Sequence, residues 1–571
     1  MSIIKPFYMN DNSVLINLSV NLCKTNIEVL ESKGFKKVIE KFIKTISKES
    51  DRSLYRLVSL IPSSDELIEM YKLLLVLSFD EIVQTKKEFN KYVNYRKDLM
   101  FFTEQLYAYW RAFERYGIIQ RQFADMTSDN SVLIDTTTDF WKNILWLYRN
   151  LLNKLRIKPI NIYRQTPGGF NAGLIVSPSH NNLPKAYQNL YDIDVINGVA
   201  IRTPFIGHSK SNSRSGVFKE IDHNQIKDLD LTKRHWLCFP IKVGDLLAYV
   251  YFHRSLLHHG ISLSNLFEPA FEEYFNQDKP NLIYVYGSSE TKDDKTLYVD
   301  KENDIYLGYV SRINENDYFG YMKKMILTLH NFYKIKHDQL PIHGAMINII
   351  LNNDKEKNVV IIGDSGAGKS ETIEALRFIS DKKIKEMNVV FDDMGVFYDK
   401  DDQIYAKGTE IGAFIRLDDL DTGYAYKELD RAIFLNPERN NARVILPIAS
   451  YEFISKDSKI DYVFYANNYE DADVSHRFFD DVDDALEVFR QGKRKAKGTT
   501  AETGIVTSYF ANPFGPVQLK EEVDVILKRI FSKLFDDKVI IGELYTKLAV
   551  SGQETKGVNG AARALLKLID Q

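Results

Sequence analysis

Residues 358–379 read NVVIIGDSGAGKSETIEALRFI: an apolar run of β-forming residues, a glycine-rich turn and a segment with helical spacing. The turn, Gly363-Asp364-Ser365-Gly366-Ala367-Gly368-Lys369-Ser370, has the form G-x-x-x-x-G-K-S and stands in the strand-to-helix setting that this motif requires. Glycines let successive backbone N–H groups turn inward around phosphate oxygens, and the helix that follows adds the positive end of its dipole. Lys369 would reach the β and γ phosphates and Ser370 would hold a metal, so the stretch, with Glu371 behind it, is expected to bind ATP and release its terminal phosphoryl group. Farther on, the apolar run Val389-Val390-Phe391 delivers Asp392 and Asp393, in the place of the second element that binds the nucleotide's metal through carboxylates.

Around this motif the chain alternates strand-like and helix-like segments from about residue 326, as in AMINIIL and NVVFDD. Between about 160 and 325 it breaks into short β-like runs such as WLCFPIKV and LLAYVYF, separated by Gly, Asn, Ser and Pro clusters. From about 14 to 125 the apolar residues recur at three- and four-residue steps with almost no glycine or proline, which predicts helices. The aromatic stretch LYAYWRAFERYG continues that pattern and reads as core. The expected organisation is therefore an α/β protein with a helical N-terminal extension (1–140), a mixed α/β substrate-binding domain (141–325) and a P-loop nucleotide-binding domain (326–571).

The 571 residues include 75 Lys and Arg against 78 Asp and Glu, a net charge of -3, so no overall field favours nucleic acid or an anionic membrane. The two cysteines, Cys23 and Cys238, have no metal-type spacing, and a reducing compartment fits them. With no run of about 18 apolar residues and no basic-then-apolar leader in MSIIKPFYMNDNS, neither a membrane span nor a secretion signal is expected, and the expected location is cytoplasmic.

Further segments extend the pattern beyond generic nucleotide binding. These are Tyr318-Phe-Gly320-Tyr-Met322-Lys323-Lys324, Leu340-Pro-Ile-His343, Asn441-Ala-Arg443-Val-Ile-Leu-Pro447, and Lys495-Ala-Lys497-Gly498-Thr499 with Glu502-Thr-Gly504 and Phe514-Gly515. In order and spacing, with the P-loop and Asp392-Asp393-Met-Gly395, they resemble the ATP-dependent phosphoenolpyruvate carboxykinases from about residue 300 to the C-terminus. The resemblance implies that oxaloacetate and ATP give phosphoenolpyruvate, ADP and carbon dioxide, with manganese and magnesium as cofactors. It implies Lys324, His343 and Asp393 as manganese ligands, the lysine as its neutral amine, and Ser370 with Asp392 on a magnesium ion that travels with ATP. Arg443 would neutralise charge on the substrate, Tyr318 would line the carboxylate or carbon dioxide pocket, Lys323 and Lys369 would contact the phosphoryl group, and Ser365 would help hold the γ-phosphate.

The chain departs from that family in three places, the least of them Ser370 where the family has threonine, since both hydroxyls can ligate magnesium. No G-R-S-P string supplies the arginine that binds the oxaloacetate carboxylate, which leaves Arg202 and Arg214 as candidates, and Thr503 stands where the family has a second arginine. Residues 363–371, with His343-Gly344 before them and the Asp pair after, also resemble the bacterial HPr kinase/phosphorylase family. That alternative makes the chain a protein or small-molecule kinase whose acceptor hydroxyl is deprotonated by an Asp of the pair or by His343. A third possibility is a nucleotide-dependent sensor in which the N-terminal helices bind a protein partner.

Overall fold

The computed structural model describes residues 7–9, 13–17, 23–46, 52–118, 131–157, 162–164, 171–179, 183–214, 217–229, 231, 235–288, 294–379, 383–417, 429–496 and 504–570. Lys497, Gly498, Thr499, Glu502 and Thr503 lie outside these. The fold is mixed α/β, and the chain divides into two compact units, Met1–Ile160 and Asn161–Gln571. No helix among the described residues is long and apolar enough to cross a membrane.

The first unit is built mostly of helices. Helix Lys33–Ile46 buries Val38, Ile39, Phe42 and Ile46, a single stripe at helical spacing, while its lysines stay outward. The stripe joins Leu67, Tyr71 and Leu74 of helix Ser64–Leu74 and Leu99, Phe102 and Leu106 of helix Arg96–Ala112 in one core. Starts are fixed by local chemistry: Ser63 caps the helix Ser64–Leu74 by accepting from the Glu66 N–H, and Ser78 with Glu81 forms a reciprocal capping box. The unit also holds a three-stranded sheet, Phe7–Met9, Ser13–Asn17 and Glu114–Ile118, where the apolar periodicity alone predicted helix. In these short runs pairing between distant segments overrides the local pattern.

Both expected domain boundaries fall within helices. The 140/141 boundary lies inside Ser131–Leu155, which packs through Leu147, Leu151 and Leu155 on the first unit's core. The 325/326 boundary lies inside Phe319–Lys336, whose apolar residues run on without a break. A change in composition marked the texture of the chain but not where contacts cease.

In the second unit an eight-stranded sheet carries the P-loop. Its central strands are β1 (Leu340–Leu351), β2 (Glu356–Ile362) and β3 (Ile384–Lys400), with β1 antiparallel to both neighbours. Beyond β2 lie two parallel neighbours, Tyr462–Asn467 and Ile540–Tyr545. Both faces are covered, which is why β2 reads as an unbroken apolar run. Ile342 and Met346 face one core and Ala345, Ile347 and Ile349 the other, while β3 carries a bulge at Val390, so that Val390 and Phe391 both reach the first core. Helix Lys369–Ile379 leaves the P-loop on one face, and helix Phe319–Lys336 packs into the opposite core.

A second, ten-stranded sheet follows the path that includes Trp236–Val243, Leu246–His253, Leu282–Ser288 and Ile305–Ser311. A small four-stranded sheet joins distant parts of the chain: Phe205–Gly207 pairs in parallel with Ile433–Leu435, which pairs with Arg443–Pro447, which pairs with Gly412–Arg416. That pairing sets residues 208–214 beside residues 436–443.

Candidate active site

The P-loop needs its glycines. Gly366 and Gly368 have φ of +78° and +95°, and a Cβ on Gly368 would lie 2.7 Å from Thr546. Neighbouring strands brace the loop: Asn468 Nδ2 donates to the Gly366 carbonyl at 2.9 Å and Thr546 Oγ1 to the Ala367 carbonyl at 2.7 Å. Asp364 turns away from any phosphate. It accepts from Arg494 Nε at 2.8 Å and from the Ser365 N–H at 2.7 Å, so it is a structural anchor within the loop. Lys369 is buried and donates to the Asp364 carbonyl at 3.2 Å, and Ser370 Oγ donates to Asp392 Oδ1 at 3.3 Å. Ser370 and Asp392 thus share one small volume, as joint ligands of a hard cation must.

On β3, Asp393 has φ of +143°, a conformation a side chain rarely adopts, and its carboxylate meets two partners. His343 Nε2 lies 3.0 Å from Asp393 Oδ1, Lys323 Nζ lies 2.6 Å from Oδ2, and Lys323 Nζ is also 3.2 Å from Glu410 Oε1. On its other side the His343 ring meets the Ala511 carbonyl oxygen at 2.6 Å. A carbonyl only accepts, so Nδ1 carries the proton and the Nε2 lone pair of a neutral ring points at a carboxylate. Two lone pairs face each other there unless the ring is doubly protonated or a cation lies between them. The residues fit a divalent ion with the usual outer-shell support, a ring N–H held by a backbone carbonyl.

The charges in this cluster balance. Despite desolvation, the Lys323 cation holds the Asp393 carboxyl well below the ordinary carboxylate range. Desolvation pushes Glu410 up to about 8, with Lys323 opposing, so at neutral pH the group is mainly protonated. One lysine cation then faces one carboxylate in a buried setting, the arrangement that avoids an uncompensated charge. Asp392 is raised by desolvation while Lys369 draws it down.

A set of cations stands beside this cluster. The guanidinium of Arg443 lies 5.3 Å from the Phe414 ring centroid and Lys323 Nζ 5.8 Å from it, while the Tyr318 ring packs at 6.3 Å. Arg443 donates through Nη2 to Asn441 Oδ1 at 2.9 Å, but its buried Nε has no partner among the described residues. Desolvation lowers Arg214, whose guanidinium is coupled to Tyr318, Asp393 and Arg443, although the side chain stays accessible to solvent. Lys324 is pushed down to about 8 by desolvation and by Arg214, with Asp364 opposing. Arg214, Arg443 and Lys324 thus form a positive cluster in which an anion would satisfy otherwise unmet charge.

Two segments hold the arginines together. Asn436, itself at φ +48°, accepts from the Ser209 N–H at 2.7 Å and donates to the Ser209 carbonyl at 3.0 Å. Arg439 Nη1 donates to the Ser209 carbonyl at 3.0 Å, Asn212 Nδ2 to the Asn440 carbonyl at 2.9 Å, and Asn441 Nδ2 to the Asn212 carbonyl.

The structure brings most of the residues read from sequence to one place. It is Lys323 that meets Asp393. Lys324, expected beside the metal, makes no ion pair among the described residues; successive residues on a helix point about 100° apart. Of the two candidate arginines Arg214 reaches the site, while Arg202 is exposed and shares no interaction with it among the described residues. Glu410, Phe414 and Ala511 were missed. They carry no motif, and only the tertiary fold brings them in: Phe414 from strand Gly412–Arg416, Glu410 from the turn before it and Ala511 from the turn Tyr509–Ala511. No protein-family model and no curated protein matches this chain.

Proposed function

We propose that the chain transfers the terminal phosphoryl group of ATP to a small carboxylate-bearing acceptor, and that the acceptor is the enolate formed from oxaloacetate. The observation that carries this reading is the meeting of the P-loop with the positive cluster of Arg214, Arg443 and Lys324. The carboxykinase-type arrangement of nucleotide and substrate domains belongs to the same reading.

In it, Lys369 and the backbone N–H groups of 363–370 hold the phosphates, with Ser370 and Asp392 on magnesium. His343 and Asp393 would hold manganese, which supplies Lewis-acid neutralisation of the developing enolate. Arg214 and Arg443 bind the acceptor's carboxylate groups, and Tyr318 closes one side. The C–C bond to the departing carboxylate breaks, its electron pair forms the enolate, and carbon dioxide leaves. The enolate oxygen then attacks the γ-phosphorus, and the bond to ADP breaks. The unpaired Arg443 Nε favours an anionic acceptor over the neutral hydroxyl that the kinase alternative requires.

The test is a coupled assay on the full chain with manganese and magnesium, supplied with oxaloacetate and ATP, and in reverse with phosphoenolpyruvate, ADP and bicarbonate. Turnover that disappears in Lys369→Met is the expected result. ATP binding without any turnover of these substrates overturns the carboxykinase reading.

A further inference from the structure

His258 and His259 open helix Leu257–Leu266, and Asp317 precedes Tyr318 in the chain. Their ligand atoms all lie within 4.8 Å of one another. His259 is fully buried, and the side chains of His258 and Asp317 are 17% and 12% exposed. His259 Nε2 lies 2.8 Å from Asp317 Oδ1, while His258 Nε2 lies 3.6 Å from the same oxygen, too far for a hydrogen bond. Ser209 Oγ is 3.4 Å from His258 Nε2.

These separations straddle what one small ion would impose. With metal–nitrogen and metal–oxygen bonds of about 2.0 to 2.2 Å, neighbouring donors of a tetrahedral site lie roughly 3.3 Å apart. The carboxylate is already oriented, since Asp317 Oδ2 accepts from the Lys210 N–H at 3.3 Å and the Asp317 carbonyl accepts from the Ser211 N–H at 3.0 Å. A neutral imidazole and an ionised carboxylate are the forms that ligate metals.

We propose that His258, His259 and Asp317, with Ser209 Oγ or a solvent molecule in fourth place, form a binding site for a zinc-class divalent ion separate from the His343–Asp393 centre. Two imidazoles and one carboxylate suit zinc or cobalt, whereas magnesium and calcium require a larger all-oxygen shell. The ion would fasten helix Leu257–Leu266 to the segment that leads to Arg214. Buried His259 Nδ1 has no partner among the described residues, so one usual outer-shell support is missing there and affinity falls short of that of a closed structural zinc site.

The test titrates the full chain, stripped of metal by chelation, with Zn2+ followed calorimetrically and with Co2+ followed by visible absorption. A His343→Ala background removes the other centre. One saturable equivalent is expected there, weakened at least about tenfold by His258→Gln and by Asp317→Asn. Melting curves without metal check the fold, and if Asp317→Asn does not fold, the partly exposed His258→Gln decides. No saturable equivalent in the His343→Ala background, or one that survives His258→Gln, overturns the proposal and leaves an ordinary hydrogen-bonded cluster.

Discussion

His343 Nε2 and Asp393 Oδ1 face each other at 3.0 Å from adjacent strands, with the far side of the imidazole committed to the Ala511 carbonyl. The ring is therefore pre-oriented for a cation. His343→Ala should lower Mn2+ affinity more than about 100-fold, the upper cost of losing an outer-shell partner. ATP affinity with magnesium should change little, because Ser370 and Asp392 remain. Manganese resonance titration and nucleotide calorimetry on the same sample measure the two; equal losses would mean that there is one metal centre.

The neighbouring lysines should separate in kind. Lys323→Met leaves half-buried Asp393 without its counter-charge, so urea unfolding should show a clear loss of stability. Lys324→Met removes a cation that Arg214 already repels, so stability should hold or rise while acceptor KM increases. A large stability loss in Lys324→Met would reverse the two roles.

Glu410 ties stability to pH. Its folded value near 8 lies above the ordinary value of 4.5, so between those limits the folded state holds more of this proton than the unfolded state. Its contribution is present in full below about 4.5 and is lost as pH rises through about 8. Glu410→Gln mimics the protonated form and should flatten that part of the profile. Chemical denaturation across pH in chelator, wild type against variant, shows whether the slope disappears.

The two arginines should act on the acceptor and not on ATP. Charge-assisted hydrogen bonds contribute about 1.5–3 kcal/mol each, so Arg214→Gln or Arg443→Gln should cost about 10- to 150-fold in kcat/KM for the acceptor. Steady-state kinetics with each substrate varied in turn checks this. A loss confined to ATP would move both arginines to the nucleotide.

Much of the site was legible because its chemistry is local. Residues 363–370 specify a loop, a strand before it and a helix after it within one short stretch, and Asp392-Asp393 ends an apolar run that could only be a strand. What sequence could not show is which side chain of an adjacent pair turns inward: Lys323 and Lys324 are chemically identical, and only the pitch of their helix brings the first to Asp393. Glu410 is an acid in a stretch without a motif, and its high proton affinity arises from burial and from the charge of Asp393, a neighbour that only the fold supplies. The strand Glu114–Ile118 of the N-terminal unit was hidden for a similar reason, since its partner Ser13–Asn17 lies about a hundred residues away.

The mutual clasp of residues 209–212 and 436–441 has a consequence for how this protein can change. Because Asn436, Arg439 and Asn441 grip the backbone that leads to Arg214, a length change in either loop must be answered in the other or both arginines lose their bearing. Segments more than two hundred positions apart are thereby bound to a common fate. An engineer who wishes to widen the choice of acceptor would do better to transplant the two loops as a pair than to vary either alone.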